Sequence, residues 1–381
     1  MPPASPIALY YFAFFAALGV FWPFFSLYLA AAGLSPTQIT RVLAISPVMS
    51  LVAPPLIGLI ADAKGARAWL LRSSSVATAV AFQGFVVARG SRPALYATAA
   101  AFALCRAPVG SLVDATALDC VRRHGGSYGA LRLWGSLGFL IAVVAGGVLL
   151  ESVGLDFVLV STGLALGLAA VCAFAMPAPP AAPSRPPTLA LLEMALDEQT
   201  WLLLVAVMLA QIANGTYDAC FSLHLQRAGF GSRFIGIAYA VGVGAEIALL
   251  AVSGAVLRRV GAARLLACSL ATATVRWLVL ARVTSGSAIL CLQPLHGITF
   301  GFYYAAAVTL VRERGGPSAP TAAQGLFAAV TALGSVLGIA VSGPVLERAG
   351  GEVFLVGAGA AALATLAAFR LSRVKMRSSR Y

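Results

Sequence analysis

Charge is what this chain has least of. Only 10% of its 381 residues are Asp, Glu, Lys or Arg, where a soluble domain carries about a quarter. Acidic residues are the scarcer sign, 13 against 26 Lys and Arg. So little charge cannot clothe a water-facing surface, and with 60% apolar residues and a mean hydropathy of +0.92 the chain reads as a polytopic membrane protein. Cysteine is sparse as well. The six cysteines are scattered, with no CxxC, and mostly inside apolar runs, which excludes a disulfide or thiolate-metal framework and makes them small core residues. Missing too are a nucleophile–base constellation, a metal-spacing cluster and a phosphate-cradling loop, so the sequence predicts neither an enzyme nor a bound cofactor or metal. The N-terminus, MPPASPIALYYFAFF, lacks the basic region and small-residue cleavage site of a signal peptide, and its apolar run is expected to be kept as the first span.

What is there is a series of apolar runs, each close to the ~20 residues that cross a bilayer as a helix. They fall near 8–31, 37–60, 68–88, 94–118, 129–150 and 155–176, then 199–222, 233–257, 264–282, 287–310, 321–346 and 352–370. The expected fold is all-α, with twelve transmembrane helices in two six-helix bundles. The proline-dense PAPPAAPSRPP cannot continue a helix. It sets a first bundle at 1–176, a linker at 177–198, a second bundle at 199–370 and a basic tail at 371–381. Placing both termini in the cytoplasm puts sixteen Lys and Arg on that side and seven on the other, the bias expected of a multi-pass inner-membrane protein. The net charge of +13 therefore reports topology, since it does not gather on one amphipathic face as nucleic-acid binding would need. Three arginines, Arg106, Arg132 and Arg276, fall inside spans.

A single offset of 196 residues carries an internal repeat. Gly58, Gly65, Gly129, Gly138, Gly147, Glu151 and Gly154 fall on Gly254, Gly261, Gly325, Gly334, Gly343, Glu347 and Gly350. Six spans per repeat keep both halves in the same orientation. Small residues at these positions let helices approach closely.

The segment Gly58-Leu-Ile-Ala-Asp62-Ala-Lys64-Gly65-Ala-Arg67 resembles the loop 2-3 signature of the major facilitator superfamily, with a weaker echo at Gly254–Arg264. That resemblance implies a cytoplasmic gate motif at Gly58, Asp62, Gly65 and Arg67. A turn with positive-inside anchors accounts equally well for Lys64 and Arg67. Nearly the whole chain is similar to the phenylpropionate-permease-like, or lactose-permease-like, branch. The likeness runs through YGALRLWGSLGF (128–139), Arg276-Trp277, Gln293-Pro-Leu-His296-Gly-Ile-Thr-Phe-Gly301 and Gln324-Gly-Leu-Phe327.

Ionisable groups inside a membrane are costly and nearly always face a bundle interior or a wet cavity. They are therefore the first site candidates: Asp114, Asp119, Arg132, Asp218, Glu246, Arg276 and His296. Asp114 and Arg132 stand in neighbouring antiparallel spans, roughly equidistant from their connecting loop, and so can meet. Asp119 lies nearer the loop and is read as structural. The resemblance implies that Asp114 and Arg132 belong to the substrate site, with Phe139, Trp134 and His296 beside them, and that Glu246 and Arg276 link binding to proton movement. Two departures limit the carry-over. Thr299 occupies the position of the branch's proton-carrying glutamate, and Thr331 or a close neighbour that of the lysine expected to face Asp218. Asp218 and Glu246 become the carrier candidates. Phe21, Trp22, Phe24, Phe25, Trp134 and Tyr303 could accept an aromatic ring or serve as packing and interface anchors.

The expected function is secondary transport by a monomer in the inner membrane, importing a small organic solute, an aromatic or organic acid or a sugar-like molecule, with protons. A proton-driven exporter of lipophilic compounds fits the same fold, and a non-transporting membrane sensor or scaffold is a second alternative. The lipid bilayer and the solute are the expected partners, with no nucleic acid.

Overall fold

Each of the twelve apolar runs forms helix. The computed structural model describes residues 4–64, 67–176, 197–315 and 320–373, the side chains of 54–64, 67, 315 and 320–322 excepted. In chain order the helices are α1 (Ala4–Ala31), α2 (Pro36–Lys64), α3 (Arg67–Val87), α4 (Arg92–Arg106), α5 (Val109–His124), α6 (Tyr128–Val153) and α7 (Phe157–Ala175). They continue with α8 (Glu198–Arg227), α9 (Ser232–Val260), α10 (Ala262–Leu280), α11 (Gly286–Leu292), a π-helical turn (Gly297–Phe302), α12 (Tyr303–Gly315), α13 (Pro320–Ala349), a 3-10 turn (Gly350–Val353) and α14 (Phe354–Arg373). The pairs α4–α5 and α11–α12 each form one interrupted crossing, Arg92–His124 and Gly286–Arg314. Among the described residues ten stretches are long and apolar enough to cross a membrane. One of them, Ala323–Arg373, is two helices divided by the 3-10 turn; α2, 29 residues long, holds the remaining apolar run.

Local chemistry fixes the helix ends. Ser91 and Ser285 cap α4 and α11, their hydroxyls accepting the amides of Ala94 and Ala288 at 3.4 and 3.3 Å. Asp197 caps α8, accepting the Thr200 amide at 2.9 Å, and also holds Arg314 at 3.2 Å. At the other end of α7, Arg72 donates to the carbonyls of Ala173, Phe174 and Met176, the last acceptors of a helix that has run out of amides.

The chain divides into two compact units, Met1–Arg185 with Phe221–Ala240 and Pro186–Cys220 with Val241–Tyr381. In the first, α1 is the buried centre. Phe21 and Phe25 pack edge-on against Phe82, Phe85 and Phe102 with ring centroids 4.9–5.9 Å apart. The start of α9 joins this unit because Gly236 sits against α6: a Cβ there would lie 2.5 Å from the Val143 carbonyl oxygen. Glu151 of α6 then accepts the Arg233 amide at 3.0 Å, a carboxylate at the N-terminus of α9. In the second unit α8, α10 and α14 enclose a core that includes Leu203, Val207, Leu266, Leu270 and Ala364.

The offset of 196 holds for contacts as well as for residue types. A Cβ on Gly138 of α6 would strike the Phe12 carbonyl of α1, and one on Gly334 of α13 would lie 2.5 Å from the Met208 carbonyl oxygen of α8. Residues 12 and 208 are themselves 196 apart. A second pair, absent from the sequence reading, obeys the same rule: Gly19 meets Phe139 and Gly215 meets Ser335, with Cβ-to-carbonyl distances of 2.6 and 2.9 Å. Each half thus packs its first helix against its fifth span through two glycines that only a missing side chain permits. Gly154 and Gly350 share a positive φ, 93° and 57°, which favours glycine at the turn that follows each of these spans.

These glycines are not interchangeable. Gly138→Leu and Gly334→Leu should each destabilise the protein by about 1–3 kcal/mol or more, because the obstacle is backbone that cannot swing aside. Gly325→Ala should be neutral or slightly stabilising, since nothing lies within 4 Å of its missing Cβ. Thermal unfolding of the purified variants checks this; equal effects at 325 and 334 would contradict it.

Of the cysteines, Cys120, Cys172 and Cys220 are buried as expected, whereas Cys268 and Cys291 are exposed on the outer faces of α10 and α11. For those two the core reading is corrected: the apolar runs that hold them are helices buried on one side only. All six are free thiols. Of the loop signature, Gly65 and the side chains of Asp62 and Arg67 lie outside the described residues, and for Gly58 only its place in α2 is given.

Candidate functional site

Two polar clusters stand in the spans, one in each unit. In the first unit, α1, α5 and α6 bring together Tyr11, Phe15, Asp114, Tyr128 and Arg132. Tyr11 donates its hydroxyl to Asp114 Oδ1 at 2.5 Å, and Tyr128 lies beside the same pair. Arg132 forms no ion pair with Asp114. Its guanidinium lies over the Phe15 ring, 3.9 Å from the centroid, and 5.7 Å from the centroid of Tyr11. Gly135 makes room for this arrangement: a Cβ there would lie 2.8 Å from Arg132 Nη1 and 2.9 Å from the Phe15 ring. The acid is therefore held by a phenol and the base by a ring face. At a partly exposed site stacking stabilises a guanidinium by about 0.5–1 kcal/mol while using none of its in-plane N–H donors. Arg132 is left free to bind an acceptor that arrives later.

In the second unit Arg276 of α10 is fully buried, with 0% exposure. It donates to Gln293 Oε1 at 3.2 Å and Thr299 Oγ1 at 3.0 Å, and lies against the rings of Tyr217 and Trp277, 4.8 and 4.5 Å from their centroids. Its Nη1 is also 3.3 Å from His296 Nδ1. Arginine can only donate, so Nδ1 must accept and the ring proton belongs on Nε2. That nitrogen faces Glu246 Oε2 at 3.5 Å. Histidine therefore stands between arginine and glutamate, and a second proton, on Nδ1, would set N–H against N–H and break its bond to Arg276. Glycines bring these elements together. Gly297 passes the Ala245 backbone, where a Cβ would lie 2.7 Å from the carbonyl oxygen, and Gly301 passes Glu246. Both belong to the π-helical turn that begins just after His296, a deformation found mostly at functional positions.

Asp218, one residue beyond Tyr217 on α8, is exposed and makes no hydrogen bond or ion pair among the described residues. Asp119 is engaged by Arg122 and Arg123 at 2.8 and 2.7 Å, the structural role expected of it.

The aromatic expectations fare unevenly. Phe139 is buried, its ring 6.3 Å from that of Trp22 and its backbone under Gly19. Trp134 is half exposed and lines a groove of about 490 Å³ with Ala4, Ser5, Leu9, Phe12 and Leu131, which contains none of the Arg132 cluster. Phe21, Phe24, Phe25 and Tyr303 are core residues. The rings that meet the charges are instead Tyr11 and Phe15, one helical turn apart on α1, which the sequence reading did not single out. Their signal was a tyrosine in an apolar helix followed by an aromatic residue at i+4.

Comparison with known proteins agrees with this architecture. Residues 5–356 match the MFS_1-like family. The chain is 30% identical over 346 residues to a maltose permease of Geobacillus stearothermophilus, covering 89% of this chain and 87% of that one. It is 29% identical over 339 residues to a probable 3-phenylpropionic acid transporter of Escherichia coli strain K12, at 87% of each. The fold resembles the solved structure of the nucleoside transporter NupG, with a TM-score of 0.84 at 17% identity over 98% of this chain and 100% of that one. The POT family transporter PepTSo gives 0.79 at 12% identity, over 98% and 97%. Twelve crossings in two glycine-packed repeats, charges inside the spans of both units and a family match over nearly the whole length have one common meaning: the chain belongs to the MFS_1-like family and is a membrane transporter of small solutes with the major facilitator fold.

Proposed function

We propose that this transporter is a proton-coupled symporter that imports a small organic solute, an acid or a sugar-like molecule, by alternating access across the inner membrane. Both termini would lie in the cytoplasm. The solute contacts would be Arg132 and Asp114, with Tyr11 and Phe15 beside them, and the proton would be handled by Glu246, His296 and Asp218 around Arg276.

The observation that carries this reading is that the charges inside the spans are held in exchangeable rather than closed pairs. Arg132 has a ring face where a carboxylate was expected, Asp218 forms no hydrogen bond or ion pair among the described residues, and Glu246 reaches Arg276 through a histidine. A scaffold would gain from closing such pairs, because a charge inside a membrane span without a partner is expensive. A symporter needs them open, so that solute and proton can complete the set. The named substrates of the two curated relatives, maltose and 3-phenylpropionic acid, fall in the two proposed solute classes.

Reconstituted in liposomes, the protein should accumulate labelled 3-phenylpropionate or maltose when an inward proton gradient is imposed, and a protonophore should abolish the accumulation. Glu246→Gln should lose gradient-driven accumulation yet keep solute exchange. Accumulation indifferent to the protonophore would remove proton coupling, and net extrusion against the solute gradient would favour the exporter.

A further inference from the structure

Arg106 is the intramembrane cation that neither cluster uses. It lies near the middle of the 33-residue stretch Arg92–His124, about 21 Å of helix from one end and about 27 Å from the other at 1.5 Å per residue. Snorkelling to either surface is therefore out of reach for its side chain. The helix breaks at this point: α4 ends at Arg106, Ala107 and Pro108 form a turn, and α5 starts at Val109.

Its contacts are polar on one side only. Nη2 donates to Ser46 Oγ of α2 at 2.5 Å, and the guanidinium carbon is 5.9 Å from the centroid of Phe102. Nε is buried without a partner. Among the described residues no carboxylate forms an ion pair with Arg106. Ser46 must be the acceptor of that bond, since arginine only donates. Its own hydroxyl proton has no acceptor among the described residues and is free to point at an anion. One turn further along, Gly110 has no atom within 4 Å of where a Cβ would stand, so space opens on that side of the helix. Another turn leads to Asp114.

We propose that Arg106 and Ser46 form a carboxylate subsite at mid-membrane depth, and that the transported solute is an organic acid rather than a neutral sugar. This rests on reading the chain as a solute importer and narrows its substrate class. The solute carboxylate takes the in-plane donors of Arg106 and the Ser46 hydroxyl, and the body of the molecule runs past Gly110 toward Asp114 and Arg132. The acid supplies the counter-charge that no described residue provides, and a guanidinium fork is matched to that group in shape as well as in charge.

The test compares acids with their neutral counterparts: 3-phenylpropionate with 3-phenylpropionamide, benzoate with benzamide, and gluconate with glucose. Each is added at equal ionic strength to the purified full chain, and the thermal midpoint is read. At least one acid should raise the wild-type midpoint by about 3 °C, with its neutral partner inert. Arg106→Gln should erase the difference, and Ser46→Ala, a milder change should the first variant not fold, should weaken acid binding about tenfold. If no acid in the panel outperforms its counterpart on the wild type, or if Ser46→Ala and Arg106→Gln leave the preference intact, the subsite is refuted. Liposome flux separates this from the transport reading. Proton-driven maltose uptake with no acid preference would keep the importer and discard the subsite. An Arg106-dependent acid shift with no flux of any solute would keep the subsite and discard the importer.

Discussion

Substitution of Arg276 by alanine is expected to abolish transport and to cost the folded protein about 2–5 kcal/mol. The side chain is fully buried, packs against two aromatic rings and supplies donors to Gln293, Thr299 and His296. Its removal would open a cavity beside Tyr217 and Trp277 and leave two oxygen acceptors and a ring nitrogen in a dry site. Gln293 Oε1 would keep only the Tyr217 hydroxyl, at 3.1 Å. Lysine should not rescue the loss. An ammonium is a compact point charge on a flexible stem, whereas this site uses a planar fork stacked on rings and bonded in its plane. Arg276→Lys should therefore remain inactive and recover only part of the thermal midpoint. Wild-type uptake by Arg276→Ala would show that the cluster is packing alone.

The helices were legible in the sequence because membrane spans are written in length and composition, and the repeat was legible because its glycines are forced. Gly138 and Gly334 are fixed by a backbone on the opposite helix, so they recur at one offset without drift. Gly19 and Gly215 recur at that offset too, yet residue type alone does not say which glycine touches which carbonyl. The acid and base candidates were readable for a related reason: a charge inside a span must have a use. Their partners were not. The spacing of Asp114 and Arg132 allows a direct pair, but it cannot reveal that Tyr11 would take the carboxylate and Phe15 the guanidinium, because α1 is crowded with aromatic residues and most of them are packing. Phe139 looked open to solute and is buried, since Gly19 draws α1 down onto its backbone. The relation of Glu246 to Arg276 was not readable in full. Chain order gives three residues from three spans, but only the close passage of Gly297 and Gly301 along α9 sets His296 between the other two.

The account depends most on Arg132 being held for a ligand rather than for the fold. A guanidinium stacked on Phe15 with no ion pair contributes little to stability that a neutral side chain would lose, and it avoids the expense of charge in the span only while something binds it. Arg132→Ala should therefore insert, purify and unfold within about 1 kcal/mol of the wild type, while proton-driven uptake falls by at least about a hundredfold, roughly the loss of one charge-assisted contact to the solute. Parallel measurement of uptake and thermal midpoint on this one variant decides the matter. Loss of uptake with an unchanged midpoint is the predicted result. Unchanged uptake, or a collapse of the fold together with the loss, would contradict the site.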